Sequence, residues 1–413
     1  MLFSPHRWLR ISLFNLLIVS VIGVILRYKI LYPLPFVDQK HLLHGHSHFA
    51  FAGWISQALM ALLVEYLARQ KLQVSYKKYD RLLLLNLLSA YGMLIAFPIE
   101  GYAMYSISFS TASIFVSYVF AFIYWKDLNK LKGNQLSHTW FKGALVFNAI
   151  SSAGAFSLAT MMVTKTINQN WYLAAIYFFL HFQYNGWFFF SCMGLLYNKL
   201  QPYIPDTGKL KLICRLFLLA CIPAYFLSAL WLDFPFIIYL LVIIAALAQV
   251  IAWGMLVKLM YANRVPIKKQ IPKSASWVLG LSAMALSIKL LLQAGSVIPA
   301  LSNLAFGFRS IVIGYLHLVL LAVITLFILG YMFSMRQLLI TKLALAALWI
   351  FTAGIFLNEL LLMIQGVSAM YYINIPHMNE LLLVAALVLF TGLLVLNVSQ
   401  TGNNKIDISV SNR

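Results

Sequence analysis

The chain has 413 residues, of which 62% are hydrophobic, 15% aromatic and only 10% charged. Soluble domains carry about 25% charged residues, so this composition excludes a soluble globular protein. A formal charge of +20 at pH 7 would also suit a nucleic-acid-binding protein. In a membrane protein, however, basic residues first determine orientation, and we expect no nucleic-acid partner.

Apolar stretches of about 20 residues recur along the chain and predict an all-α protein with twelve transmembrane helices. They lack the alternation of a membrane β-barrel. Residues 1–399 are predicted to form a single transmembrane domain and residues 400–413 a polar cytoplasmic tail. The predicted spans are 9–27, 43–68, 81–98, 102–125, 139–162, 171–198, 211–232, 234–259, 275–297, 309–333, 338–365 and 378–398.

The basic residues are distributed unequally between the two sides of this bundle. One side receives 24 of the 30 Lys and Arg residues. The positive-inside rule therefore places both termini in the cytoplasm of a bacterial-type inner membrane, where the basic side contacts anionic lipid. The six basic residues on or near the other side are Arg27, Lys29, Lys40, Lys165, Lys289 and Arg309.

Histidines cluster at the external ends of the predicted second, sixth and tenth spans. Ionisable groups inside a bilayer are costly, so each is a functional candidate. His48, His181 and His317 lie about 7 to 15 Å from the external ends of their helices, at 1.5 Å per residue. We expect one layer of histidines. Because these spans are four apart in order, the chain is predicted to form three four-helix arcs with a pseudo-threefold arrangement.

An internal match supports this repetition. Residues 48–54 (HFAFAGW) and 181–187 (HFQYNGW) share His, Phe, an aromatic residue, Gly and Trp at identical offsets. A glycine permits close approach of a helix or a flat ligand, and we expect Trp54 and Trp187 to present large apolar faces to a cofactor. The span containing His317 lacks the Gly-Trp pair, so the third copy is partial.

The segment His46-Ser47-His48 has a defined geometry. Residues two apart on an α-helix point about 200° apart, so His46 and His48 cannot bind one metal ion together. Each could present its imidazole to a different cofactor. His44 lies four residues before His48, on the same helix face.

Four further charged residues leave two interpretations open. Glu359 and Glu380 could form ion pairs with Lys289 or Arg309, as buried charges in membranes commonly do. Alternatively, Lys289 and Arg309 could bind the propionates of a haem, with the glutamates as proton carriers.

This pattern resembles subunit I of the haem-copper oxidase superfamily, which includes cytochrome c oxidases and nitric oxide reductases. The resemblance extends over the whole chain by helix order and is weak in sequence. It implies that His46 or His48, together with His317, holds a low-spin haem b between helices two and ten. It also implies that His181 binds a second metal, copper or non-haem iron, or lies near a second haem.

The chain departs from that family at the reactive site. Residues 211–232 contain no histidine, although the family has an adjacent His-His pair on helix seven. We therefore expect no three-histidine copper centre. The resemblance implies a membrane haem protein that handles electrons or a diatomic gas such as O2 or NO, with a quinol or a cytochrome as electron donor. It would act as a haem-dependent oxidoreductase if it is an enzyme, and no catalytic residue is assigned.

A second hypothesis is a cofactor-free transporter or lipid-handling membrane protein whose histidines stabilise helix contacts or relay protons. A membrane di-iron oxygenase is a weaker alternative, because such sites need more histidines near one face than this chain offers.

Overall fold

The computed structural model describes residues 4–131, 133, 135–232, 234–298, 301 and 308–401, which form helices and no β-strand. Ten helices are long and apolar enough to cross a membrane, and an eleventh is a bent pair. One more helix, α6, is continuous over residues 169–200. The others are α1 Pro5–Leu31, α2 Gln39–Arg69, α3 Lys77–Glu100, α4 Met104–Leu128, α5 Leu136–Val163, α7 Thr207–Cys221, α8 Phe236–Ala262, α9 Lys273–Gly295, α10 Arg309–Ser334, α11 Lys342–Met370 and α12 Met378–Ser399.

The all-helical class and ten of the predicted spans are confirmed. Helix α6 is not among those ten, because its many Tyr and Trp residues and its polar Asn, Gln and His residues reduce its mean hydropathy. The total of twelve spans and the cytoplasmic location of the termini remain predictions. Most of the predicted polar tail, residues 402–413, lies outside the described residues.

Several helices begin at a side chain that accepts a hydrogen bond from the first helical turn, whose backbone N–H groups have no partner within the helix. Asp38 accepts from the His41 backbone N–H at 2.8 Å at the start of α2. Asn168 caps α6 and Asp206 caps α7 in the same way. The caps fix where α2 and α6, the helices that carry most of the candidate histidines, begin.

Helix α7 breaks near its end. Pro223 has no backbone N–H, and the chain continues as a 3-10 helix, Pro223–Ala229, bent by 44° from α7. In this tighter segment the Tyr225 N–H bonds to the Ile222 carbonyl instead of the Cys221 carbonyl. The Cys221 carbonyl is therefore free to accept a hydrogen bond from another helix.

In α2, α6 and α10, a π-helical segment begins within two residues after His48, His181 and His317, respectively. These segments are Ala50–Ser56 in α2, Phe182–Phe188 in α6 and Leu318–Thr325 in α10. π-Helical turns are rare and often mark functional sites. The third copy, which is partial in sequence, thus shares the π-helical segment of the other two, and this common feature agrees with the predicted internal repeat.

The three π-helical segments meet inside the bundle. The Trp54 Nε1–H donates to Thr325 Oγ1 at 2.9 Å, which joins α2 to α10. The Trp187 Nε1–H donates to Ser56 Oγ at 3.1 Å, which joins α6 to α2. The α6 and α10 segments also contact each other. Trp54 and Trp187 occupy the same repeat position, and both tie one repeat to another.

We expect Thr325→Val to destabilise the protein by about 1–3 kcal/mol, because it leaves the buried Trp54 N–H without an acceptor. Thr352→Val is the matched control, since its hydroxyl bonds only to carbonyls of its own helix. Thermal unfolding of both variants in detergent measures the difference. Equal melting temperatures would show that the bond between α2 and α10 adds no stability.

Gly186 is expected to tolerate no side chain. A Cβ there would lie 2.5 Å from the Phe147 Cβ, so Gly186→Ala overpacks the contact between α5 and α6 and costs about 1–3 kcal/mol. A Cβ at Gly254, in contrast, meets nothing within 4 Å, so Gly254→Ala should leave stability unchanged or increase it. Denaturation of the two variants in the same detergent separates packing from helix propensity.

Candidate haem site between helices two and ten

The histidines of α2 point to two different neighbours. The His46 ring lies beside Gly23 of α1, where a Cβ would be 3.6 Å from His46 Cε1. The His48 ring stacks on Phe97 of α3 with ring centroids 4.4 Å apart, and its Nε2 lies 3.0 Å from Tyr102 Oη. The predicted divergence of these two side chains is therefore observed, and His46 is the one directed towards α1.

His46 is partly buried against α1 without a full set of hydrogen bonds. Its ring approaches the Val19 carbonyl. Its Nδ1 atom is nevertheless buried and lacks a hydrogen-bond partner of acceptable geometry. No hydrogen bond from another described residue engages its Nε2 atom. The imidazole is thus oriented by α1, and one ring nitrogen remains available.

His317 of α10 has a similar arrangement. Its Nδ1 lies 2.8 Å from the Ile313 carbonyl, so Nδ1 carries the proton and the Nε2 lone pair is available. His46 and His317 lie near enough to interact electrostatically. His46 lies eight residues before Trp54, and His317 lies eight residues before Thr325. Because Trp54 and Thr325 are hydrogen-bonded to each other, the two imidazoles lie at a similar height along the bundle.

These features match what a haem iron needs from two axial histidines. An axial histidine typically donates its other ring N–H to a carbonyl, which fixes the tautomer and the ring orientation. His317 bonds the Ile313 carbonyl, and His46 is directed at the Val19 carbonyl. In addition, no residue of Arg309–His317 is fully buried, so this half of α10 keeps accessible surface on the side that α11 does not cover. The residues present fit a bis-histidine haem.

The basic residue that lies near His46 and His317 is not one of the two that were predicted to bind haem propionates. Arg27 of α1 lies close enough to His317 for their charges to interact. Arg309 is exposed at the start of α10. Arg27 is therefore a candidate partner for an anionic propionate. The prediction missed it, because pairing between α1 and α10 cannot be inferred from local spacing.

His181 is held in a different environment, with both ring nitrogens bonded. Lys289 Nζ donates to Asn185 Oδ1 at 2.7 Å, so the Asn185 amide must donate to His181 Nδ1 at 3.1 Å. The His181 proton is then on Nε2, which donates to the Cys221 carbonyl at 2.8 Å. His181 could bind a metal only after losing one of these bonds, and the prediction that it does so stays a prediction.

The same lysine bonds to a second chain of amides. Lys289 Nζ donates to Gln293 Oε1 at 2.5 Å, and Gln293 Nε2 donates to Gln249 Oε1 at 2.8 Å. Lys289, Gln293 and Gln249 are buried. Lys289, Asn185 and Gln249 also line a cavity of about 10 Å³, roughly the space for one water molecule. Among the described residues, the ammonium group thus donates to amide oxygens and to no carboxylate.

The proposed ion pairs are not observed. Glu359 bonds to Asn358, and Glu380 lies 3.3 Å from His377 Nδ1. Within the described part of the chain, neither Lys289 nor Arg309 forms a salt bridge. The interpretation that the glutamates neutralise these cations is therefore wrong, because each glutamate is engaged near its own position in the chain.

The described residues contain no group of three or more His, Cys, Asp or Glu side chains positioned around one metal ion.

Trp54 and Trp187 are fully buried, and their N–H groups form hydrogen bonds between helices.

No protein-family model matches the chain, and no curated protein matches its sequence.

Proposed function

We propose that the chain is a membrane haem protein in which His46 and His317 ligate one b-type haem between α2 and α10. The observation that carries the proposal is a pair of imidazoles on separate helices that interact electrostatically, with His317 Nδ1 bonded to the Ile313 carbonyl and the His46 ring beside the Val19 carbonyl. This selects His46 over His48, which is directed towards α3. Arg27 would hold a propionate.

The haem would supply one-electron chemistry, and bis-histidine ligation favours electron transfer over gas binding. Within this proposal the protein has twelve spans with cytoplasmic termini in a bacterial inner membrane and receives electrons from a quinol or a cytochrome. It would be a distant relative of haem-copper oxidase subunit I without the three-histidine copper centre. A role with O2 or NO would then need a second haem or a metal near His181.

The test is the absorption spectrum of the purified protein. We expect a Soret band, a pyridine haemochrome of b type and about one iron per chain. Electron paramagnetic resonance of the oxidised protein should show a low-spin ferric signal. Protein that is folded and expressed with sufficient haem, yet contains no iron, would reject the proposal.

One observation favours the second hypothesis, a cofactor-free transporter. The chain of polar side chains from His181 through Lys289 to Gln249 crosses α6, α9 and α8 inside the membrane-embedded bundle. Ionisable side chains buried in transmembrane helices often lie on ion or proton pathways. This hypothesis predicts a folded protein without a Soret band, so the same spectrum discriminates between the two.

A further inference from the structure

The other face of α2 carries a separate cluster of histidines. His41, His44 and His48 follow one another at offsets of three and four residues, so their side chains lie along one face of the helix. This face is turned away from the candidate haem site, because His46 points about 200° from His48. The cluster is therefore independent of the proposed function.

The loop between α3 and α4 closes over this face. Gly101 has φ +67°, and a Cβ there would lie 2.5 Å from His41 Nε2, so only glycine lets the backbone approach so closely. Tyr102 follows directly. Its ring centroid lies 4.6 Å from that of His44, and its Oη lies 3.0 Å from His48 Nε2. Tyr102 thus lies against both His44 and His48, and the three side chains bring polar atoms close to the start of α2.

One of these atoms has no partner. His44 Nε2 is buried and makes no hydrogen bond to any described residue. An unsatisfied buried polar atom costs about 1–3 kcal/mol, so a bound ion or water commonly explains it. Tyr102 itself is 41% exposed, so the region is accessible from the external end of the bundle.

We propose that His44, His48 and Tyr102 form a binding site for a divalent transition metal taken up from the external side. Two imidazoles four residues apart on a helix can bind one metal ion from the same face. Imidazole suits zinc, copper and nickel, and copper(II) binds most tightly among the divalent first-row ions. The third ligand is the Tyr102 hydroxyl oxygen, and solvent completes the coordination.

The neighbouring residues set the charge of the site. The hydrogen bond from the His41 N–H lowers the pKa of Asp38, which keeps a carboxylate charged at the start of the same helix. Lys40 is the cation that interacts with His44.

The experiment is a copper(II) titration of the full chain, purified in detergent with a tag that contains no histidine and first stripped with a chelator. We expect one tightly bound copper per chain, with nitrogen hyperfine structure in the paramagnetic resonance spectrum. His44→Ala and His48→Ala should each weaken binding by more than the roughly 10- to 100-fold typical of losing an outer-shell partner. Tyr102→Phe should weaken it less, and near-ultraviolet circular dichroism checks the fold of each variant.

Two controls keep this proposal apart from the haem proposal. His377→Ala removes another histidine at the external end, one that is 79% exposed, and should leave copper binding unchanged. His46→Ala should lose the haem and keep the copper. A folded parent protein that binds no copper, or His44→Ala and His48→Ala variants that bind it as the parent does, would overturn the assignment.

Discussion

His317→Ala is expected to abolish the low-spin haem spectrum and to reduce haem content by more than about 10-fold. An axial ligand contributes more to affinity than the outer-shell partners whose loss typically costs 10- to 100-fold. His46→Ala should have the same effect, since its imidazole interacts electrostatically with that of His317. Absorption spectra and the iron content of the purified variants measure it.

His48→Ala is the matched control, because this ring stacks on Phe97 and bonds to Tyr102, away from His317. It removes the same side chain only two residues from His46. A loss of haem in His48→Ala with retention in His46→Ala would reverse the assignment of the two faces. Equal retention of haem in all three variants would mean that the cofactor is bound elsewhere.

Asn185→Leu is expected to destabilise the protein by about 2–4 kcal/mol. It removes an acceptor from the buried Lys289 ammonium group and a donor from His181. Hydrogen bonds to charged groups contribute about 1.5–3 kcal/mol, and neutral ones about 1 kcal/mol. Unfolding of the variant by chemical denaturant in detergent gives the loss directly.

Lys289→Met provides the comparison, because it removes the charge together with the need to solvate it. Replacing a buried charged group by an apolar one of similar size is often neutral or stabilising. In the Lys289→Met background, Asn185→Leu should therefore cost about 1.5–3 kcal/mol less than in the parent. Simple additivity of the two substitutions would show that the amide does not solvate the lysine.

Much of the fold follows from local pattern. The apolar runs predict most spans to within a few residues, since helix formation in a membrane depends on neighbours along the chain. The bend in the seventh span could be anticipated only from Pro223. The apolar pattern of residues 211–232 by itself predicts one straight helix. The spacing of His46 and His48 predicted their divergence, because an angle about a helix axis is also a local property.

The remaining parts of the site depend on contacts between distant segments. Arg27 and His317 are 290 positions apart in the sequence, and the Cys221 carbonyl becomes an acceptor only because α7 breaks. The contact between Tyr102 and His48 requires the loop after α3 to fold over α2. Such pairings arise from tertiary packing and leave no periodic signal in a single sequence.

The π-helical segments affect the direction in which each histidine points about its helix axis. Removing one residue from Phe182–Phe188 would rewind that turn and rotate everything before it by about 100° relative to the C-terminal half of the helix. With Trp187 still anchored, His181 would swing away from the carbonyl it now engages. The extra residue in each π-helical turn therefore sets the direction of the imidazole before it, while the part of the helix after the turn keeps its packing in the bundle.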